Sequence, residues 1–212
     1  MRVLVPEKYI PRYAKLPLLI TAALNFAVYY GSRIFDGMMP AVNILLPLDY
    51  KIPLFPPMIV VYVLSYLFWI VNYILIARES PENCRYVLRG EWIAKIICMF
   101  CFILIPTAMP RPVPQENDIF SAITRIIYSL DEPTHLLPSI HCLESWLCWR
   151  GLFGCKKVSR GYKAFSLIFA VSVFASTLLV RQHAIIDIPA ALLAAEIGLW
   201  GSRALTAAKR KA

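Results

Sequence analysis

Charge is scarce in this sequence. Only 17% of its 212 residues are Asp, Glu, Lys or Arg, 59% are apolar, and the mean hydropathy is +0.61. A soluble domain carries about 25% charged residues, so there is too little polar surface here to coat a water-soluble globule. Histidine is scarcer still, with three copies. The six cysteines fall at no zinc-site spacing and read as small buried apolar residues, which excludes a zinc ribbon and a disulfide-stapled secreted scaffold. No internal repeat or low-complexity tract is present, and the apolar content excludes intrinsic disorder. No cleavable signal peptide is legible, because the basic N-terminal stretch is broken by Pro6 and Pro11 and no small-residue cleavage pattern follows. An integral membrane protein remains, with one domain over residues 1–212.

What the chain has instead is long apolar runs. A membrane helix needs about 20 mostly apolar residues. Such runs lie at 16–32, 52–77 (starting near Pro57), 92–110, 136–155, 164–180 and 184–200. They are continuous and do not alternate, which excludes a barrel and predicts an all-α bundle of six transmembrane helices. A seventh, short helix is expected over 117–130, between the third and fourth runs. Its Ile119, Ile123, Ile126, Ile127 and Leu130 form one stripe, and Asn117 or Asp118 can cap it. Such a segment lies along the outer interface, packed on the bundle or acting as a lid.

Cytoplasmic segments retain positive charge, which orients the bundle. With the N-terminus inside, the inner segments hold sixteen Lys and Arg residues and the outer segments five: Arg33, Lys51, Arg111, Arg125 and Arg181. Both termini are therefore expected in the cytoplasm. This asymmetry accounts for the net charge of +9 without a nucleic-acid partner.

Chemistry gathers on the outer face. Arg111 stands in the run Pro110-Arg111-Pro112, where the third helix surfaces. Pro138-Ser139-Ile140-His141 opens the fourth, and Arg181-Gln182-His183 follows the fifth, with Asp187 four residues on. Ionisable groups at membrane helix ends default to a functional hypothesis. On a helix, His183 and Asp187 would share a face at i, i+4. The carboxylate would fix the imidazole tautomer and leave the other ring nitrogen as nucleophile or base. His141 can protonate a leaving oxygen. Two guanidiniums and a hydroxyl can hold anionic oxygens, joined by backbone N–H groups at the start of the fourth helix. Phosphoryl transfer needs little beyond positioning and charge neutralisation, so no metal and no cofactor is called for.

The order Arg-Pro, Pro-Ser-x-His, then a basic residue shortly before His-x-x-x-Asp resembles the type 2 phosphatidic acid phosphatase superfamily. That group includes lipid phosphate phosphatases, polyprenyl-diphosphate phosphatases and vanadium haloperoxidases, and sphingomyelin synthases are related to it. The resemblance implies that His183 attacks phosphorus with Asp187 orienting it, and that His141 is the general acid and then the base. It also implies that Arg111, Ser139, Ile140 and Arg181 line the phosphate site. Three positions depart from the family pattern. Leu104 stands where the first motif has a lysine, Ile140 where the second has glycine, and Ser176-Thr177 where the third has Ser-Arg, with Arg181 closer to the histidine. The basic-Gln-His arrangement and the stretch 48–56 resemble a bacterial branch, which implies an inner-membrane location with the site facing outward.

Other residues are read more plainly. His135 reads as a surface loop histidine, and Glu144 as a structural neighbour of His141. Arg150 lies nine residues beyond His141 and Glu196 nine beyond Asp187, so both are expected about 13 Å below the site. Unpaired charges there are costly, so the two are predicted to pair and brace the fourth helix against the sixth. The expected function is hydrolysis of a lipid phosphate or polyprenyl diphosphate at the outer leaflet. The alternatives are a head-group transferase of the sphingomyelin-synthase kind and a non-catalytic anion-binding membrane protein.

Overall fold

A computed structural model describes residues 9–209. Of the charges used to orient the chain, Arg2, Lys8, Arg210 and Lys211 lie outside the described residues. The described residues form seven α-helices and almost no sheet: α1 Arg12–Ser32, α2 Ile59–Glu79, α3 Pro81–Leu104, α4 Ile119–Leu130, α5 Ile140–Gly151, α6 Arg160–Leu179 and α7 Asp187–Lys209. Three helical stretches are long and apolar enough to cross a membrane: Arg12–Phe35, Pro56–Glu79 and Arg160–Leu179.

Capping sets several boundaries that hydropathy misses. α3 starts at Pro81 rather than Trp92. Ser80 caps it by accepting from the Asn83 N–H at 3.1 Å, and Pro81 occupies the first turn, where no N–H is needed. Arg85, Arg89 and Glu91 interrupt the apolar run without interrupting the helix. α3 also ends six residues short of Pro110, because Pro106 cannot donate to the helical ladder. α5 is shorter than the run 136–155: Ser139 caps it and a single 3-10 turn, Leu152–Gly154, closes it. Asp118 caps α4 through the N–H groups of Phe120 and Ser121 at 2.8 and 3.1 Å.

α3 and α7 make the closest contact in the bundle. A Cβ on Gly198 would sit 2.1 Å from the Gly90 carbonyl oxygen, so the two backbones touch where glycine alone fits. α1 leans on α3, and α5 packs among α2, α6 and α7. One core joins α3, α5, α6 and α7 through Cys98, Phe102, Leu143, Leu147, Phe174 and Leu199. The outward faces remain apolar, including Ile96 and Phe100 on α3 and Leu193, Ile197 and Trp200 on α7.

The loops at one end are tied together. Val42–Asn43 and Thr107–Ala108 pair as two short parallel strands, with Val42 opposite Thr107. Ala108 bridges Thr134, and the His135 N–H donates to the Thr107 carbonyl at 3.0 Å. α4 docks beside α2, with Phe120, Ile123 and Ile127 against Ile59, Tyr62 and Val180. Its expected single stripe is split, since Ile119, Ile126 and Leu130 face outward.

Candidate active site

A cavity of about 570 Å³ lies under these loops, lined by α1, α2, the first turns of α5, Glu91 of α3 and the loops that carry Arg111, Thr134 and His183. His141 is fixed by α5 and by aromatic packing. Its ring stacks on Tyr62 at 4.1 Å between centroids and touches Trp69 at 5.1 Å, while its Nε2 has no hydrogen-bond partner. His183 stands across from it, 6.3 Å between ring centroids. The His183 Nδ1 lies 3.1 Å from the Asp187 carboxylate, and the same carboxylate oxygen accepts the Ala184 N–H at 2.8 Å.

This contact does not come from a shared helix face. α7 begins only at Asp187, so His183 sits in the preceding turn, whose N–H groups at Gln182 and His183 bond back to the Thr177 carbonyl. The carboxylate at the helix start closes that turn and orients the imidazole together. With Nδ1 facing Asp187, Nε2 of His183 is left for the cavity.

Arg111 is the guanidinium that lines the cavity. It donates to the carbonyls of Asp131 and Glu132 and to Oε1 of Gln182, and it lies 5.1 Å over the Tyr128 ring. Its Nε is buried without a partner, as are Nε2 of Gln182 and Oγ1 of Thr134, and all three residues line the same chamber. These are groups that an anion's oxygens can satisfy. Burial also pushes the Asp131 carboxyl up to about 6, against the opposing pull of His183.

Two of the residues expected to bind phosphate do not line the cavity. Arg181 adopts a left-handed backbone, φ 52°, and its Nη1 donates to the Asp49 carbonyl at 2.6 Å instead of lining the cavity. The reason is the loop carrying Asp49, which is 1% exposed and folds under the 181–187 turn. Its Oδ1 accepts the Ile185 N–H at 2.8 Å and its Oδ2 the Leu46 N–H at 2.8 Å. Ser139 is fully buried, and its hydroxyl caps α5 at the Cys142 N–H, 3.3 Å away. Ile140 does line the cavity. Leu104 is exposed on the outer surface of α3.

Sequence reasoning missed Gln182, Thr134, Asp131 and Asp49. Gln182 lies within Arg181-Gln182-His183, where a neutral amide carries no charge signal beside its basic neighbour. His135 is not a surface residue. It is 3% exposed, lines the cavity, packs on Phe102, and its Nε2 lies 3.0 Å from the Asp36 carboxylate. Arg150 and Glu196 pair through two contacts, Nε to Oε1 at 2.5 Å and Nη2 to Oε2 at 3.0 Å, with the Trp146 indole N–H also on Oε1. The chain matches no protein-family model, no curated protein and no solved structure.

Proposed function

We propose that this protein is an integral membrane phosphatase that cleaves a lipid phosphate or polyprenyl diphosphate through a phosphohistidine, as the superfamily its motifs resemble does. One observation carries the reading. Three distant segments bring His183 with its carboxylate, His141 with an unpartnered Nε2, and Arg111 to one cavity.

In this scheme His183 donates its Nδ1 proton toward Asp187 and attacks phosphorus with the Nε2 lone pair. The phosphorus–oxygen bond breaks as His141 gives its proton to the leaving oxygen, that of an alcohol for a phosphate monoester or of the lipid monophosphate for a diphosphate. Water then attacks the phosphohistidine, His141 takes its proton, and the phosphorus–nitrogen bond breaks to release phosphate. Arg111 and the Gln182 amide hold the non-bridging oxygens and neutralise the developing charge. The scheme calls for no metal or cofactor.

We assign six membrane spans: α1, α2, α3, α5, α6 and α7. α3 and α7 carry charges, but Glu91, Lys95 and Asp187 are turned inward while their apolar residues face out. α5 with its closing turn covers only about 24 Å. It lies among α2, α6 and α7 and does not have to match the bilayer by itself. The positive-charge asymmetry puts the termini in the cytoplasm and the site at the outer leaflet. The small bundle suits a bacterial inner membrane.

Phosphate release by the purified protein from a panel of lipid phosphates, with chelator present, tests this. Turnover is expected in wild type, none in His183→Ala, and a rate about 10²–10⁴-fold lower in His141→Ala. Head-group exchange without free phosphate would replace the phosphatase by a transferase. No turnover in either assay would leave a non-catalytic anion-binding protein.

A further inference from the structure

The end of the bundle away from His141 carries a second polar concavity. Between the start of α3 and the end of α7 lies a groove of about 670 Å³, with Arg85, Tyr86 and Arg89 on one wall and Arg203, Thr206 and Ala207 on the other. Arg89 and Thr206, 117 residues apart, meet across it, Nη1 donating to Oγ1 at 3.4 Å. The Arg203 guanidinium reaches back and lies 5.3 Å over the Tyr86 ring. Close contact of the two backbones at Gly90 and Gly198 fixes the walls beside each other.

Three guanidiniums meet one carboxylate there. Glu82 pairs with Arg85 at 3.0 Å, and Glu196, two turns back from Arg203 on α7, is held by Arg150. Among the described residues, Arg89 and Arg203 contact neutral groups and no carboxylate. A cleft lined by one sign of charge concentrates counter-ions, and guanidiniums suit phosphate oxygens. Position decides which anion. Arg89 lies 15 residues before Leu104, the last of α3, and Arg203 lies 16 after Asp187, the first of α7, so both stand about 23 Å from the level of the candidate site. That is near the opposite edge of a hydrocarbon core about 30 Å thick. From the arginines back toward the site the surface is apolar. Ile96 and Phe100 follow Arg89 on one face of α3, Trp200 precedes Arg203 by one turn, and the three are 45%, 53% and 79% exposed.

We propose that this groove seats the headgroup phosphate of an anionic phospholipid in the leaflet opposite the candidate active site. The phosphate bridges Arg89 and Arg203, the chains run along Ile96, Phe100 and Trp200, and the lipid clamps α3 to α7. A soluble phosphate brings the same charge and leaves the adjoining apolar surface bare, so the lipid is the better match. The inference rests on α3 and α7 crossing the bilayer and on no part of the catalytic scheme.

Thermal unfolding of the purified full chain in detergent, titrated with phosphatidylglycerol, phosphatidylcholine or inorganic phosphate, tests this. Phosphatidylglycerol is expected to raise the wild-type midpoint more than phosphatidylcholine does. Replacing both Arg89→Gln and Arg203→Gln should weaken phosphatidylglycerol binding by about 30-fold. Free phosphate also has the candidate active site to enter, so its shift should be the same in both proteins. Arg160→Gln with Lys163→Gln removes equal charge from the same end of the bundle, outside the groove, and should keep wild-type affinity. Equal shifts from the two lipids in wild type overturn the proposal without any variant. Equal losses in the two double variants overturn it in favour of diffuse attraction, and a free-phosphate shift lost with Arg89 and Arg203 overturns it in favour of a soluble anion. An alkaline carbonate wash of membranes tests the crossing separately. Release of the protein would remove the spans, whereas retention together with equal lipid shifts would remove the groove alone.

Discussion

Arg150 and Glu196, 46 residues apart, meet in a two-point ion pair that ties α5 to α7, the helices whose first turns carry His141 and Asp187. Their side chains are 21% and 40% exposed, so screening trims the pair's value. A double-mutant cycle with Arg150→Met and Glu196→Gln is expected to give a coupling of about 1 kcal/mol in detergent unfolding. Additive effects would show that the helices are braced by packing alone.

Asp49 supports the turn that carries His183 without lining the cavity. Replacing it by Ala removes acceptors from the Ile185 and Leu46 N–H groups and loosens the turn that carries His183. A misplacement of about 1 Å at a reacting group can cost about 10²-fold, so kcat is expected to fall by about that much with KM little changed. Asp49→Asn, which retains one acceptor oxygen, should recover part of the loss. A raised KM with normal kcat would mean that Asp49 serves binding instead.

On the proposed chemistry, Asp131 is expected to make substrate binding depend on pH. Its carboxyl, held at about 6 by burial, is protonated below that value and leaves Arg111 to the substrate. Above it, the carboxylate 3.7 Å from Arg111 competes with the phosphate. KM is therefore expected to rise as pH passes through about 6, and Asp131→Asn should keep the low KM throughout. The linked stability has the same sign. A carboxyl raised on folding favours the folded state below its ordinary value and loses that contribution as pH rises toward 6. Initial rates across that interval, in wild type and Asp131→Asn, check it.

Gly198→Ala sets two effects against each other. Helix propensity favours Ala by about 1 kcal/mol. The added Cβ would meet the Gly90 carbonyl oxygen at 2.1 Å, backbone that cannot step aside without separating α3 from α7. The steric effect wins, and a net loss of about 1–2 kcal/mol is expected in detergent unfolding. A neutral or stabilised variant would show that the two helices are free to move apart.

Much of this site could be read from the chain because membrane composition makes ionisable residues rare. His141, His183, Asp187 and Arg111 stand out against apolar neighbours, and the Arg150–Glu196 pairing follows from counting rise along two parallel helices. The roles of Arg181 and Ser139 could not be read the same way. Spacing gives the level of a side chain, whereas its direction depends on loops such as the one carrying Asp49, distant in sequence. Hydropathy also hid the first turns of α3, since a helix with Glu82, Arg85 and Arg89 reads as a polar loop until the Ser80 cap is considered. Lys95 and Glu144, 49 residues apart, pair at 2.5 Å with no local pattern that links them.

The proposed chemistry bonds phosphorus to one imidazole. Mass spectrometry of His141→Ala after exposure to an aryl phosphate, whose leaving group needs no acid, traps that bond, with the quench kept alkaline to preserve phosphohistidine. One phosphoryl group is expected on the peptide containing His183, absent in His183→Ala. A phosphoryl group on another residue, or turnover that persists in His183→Ala, would contradict it.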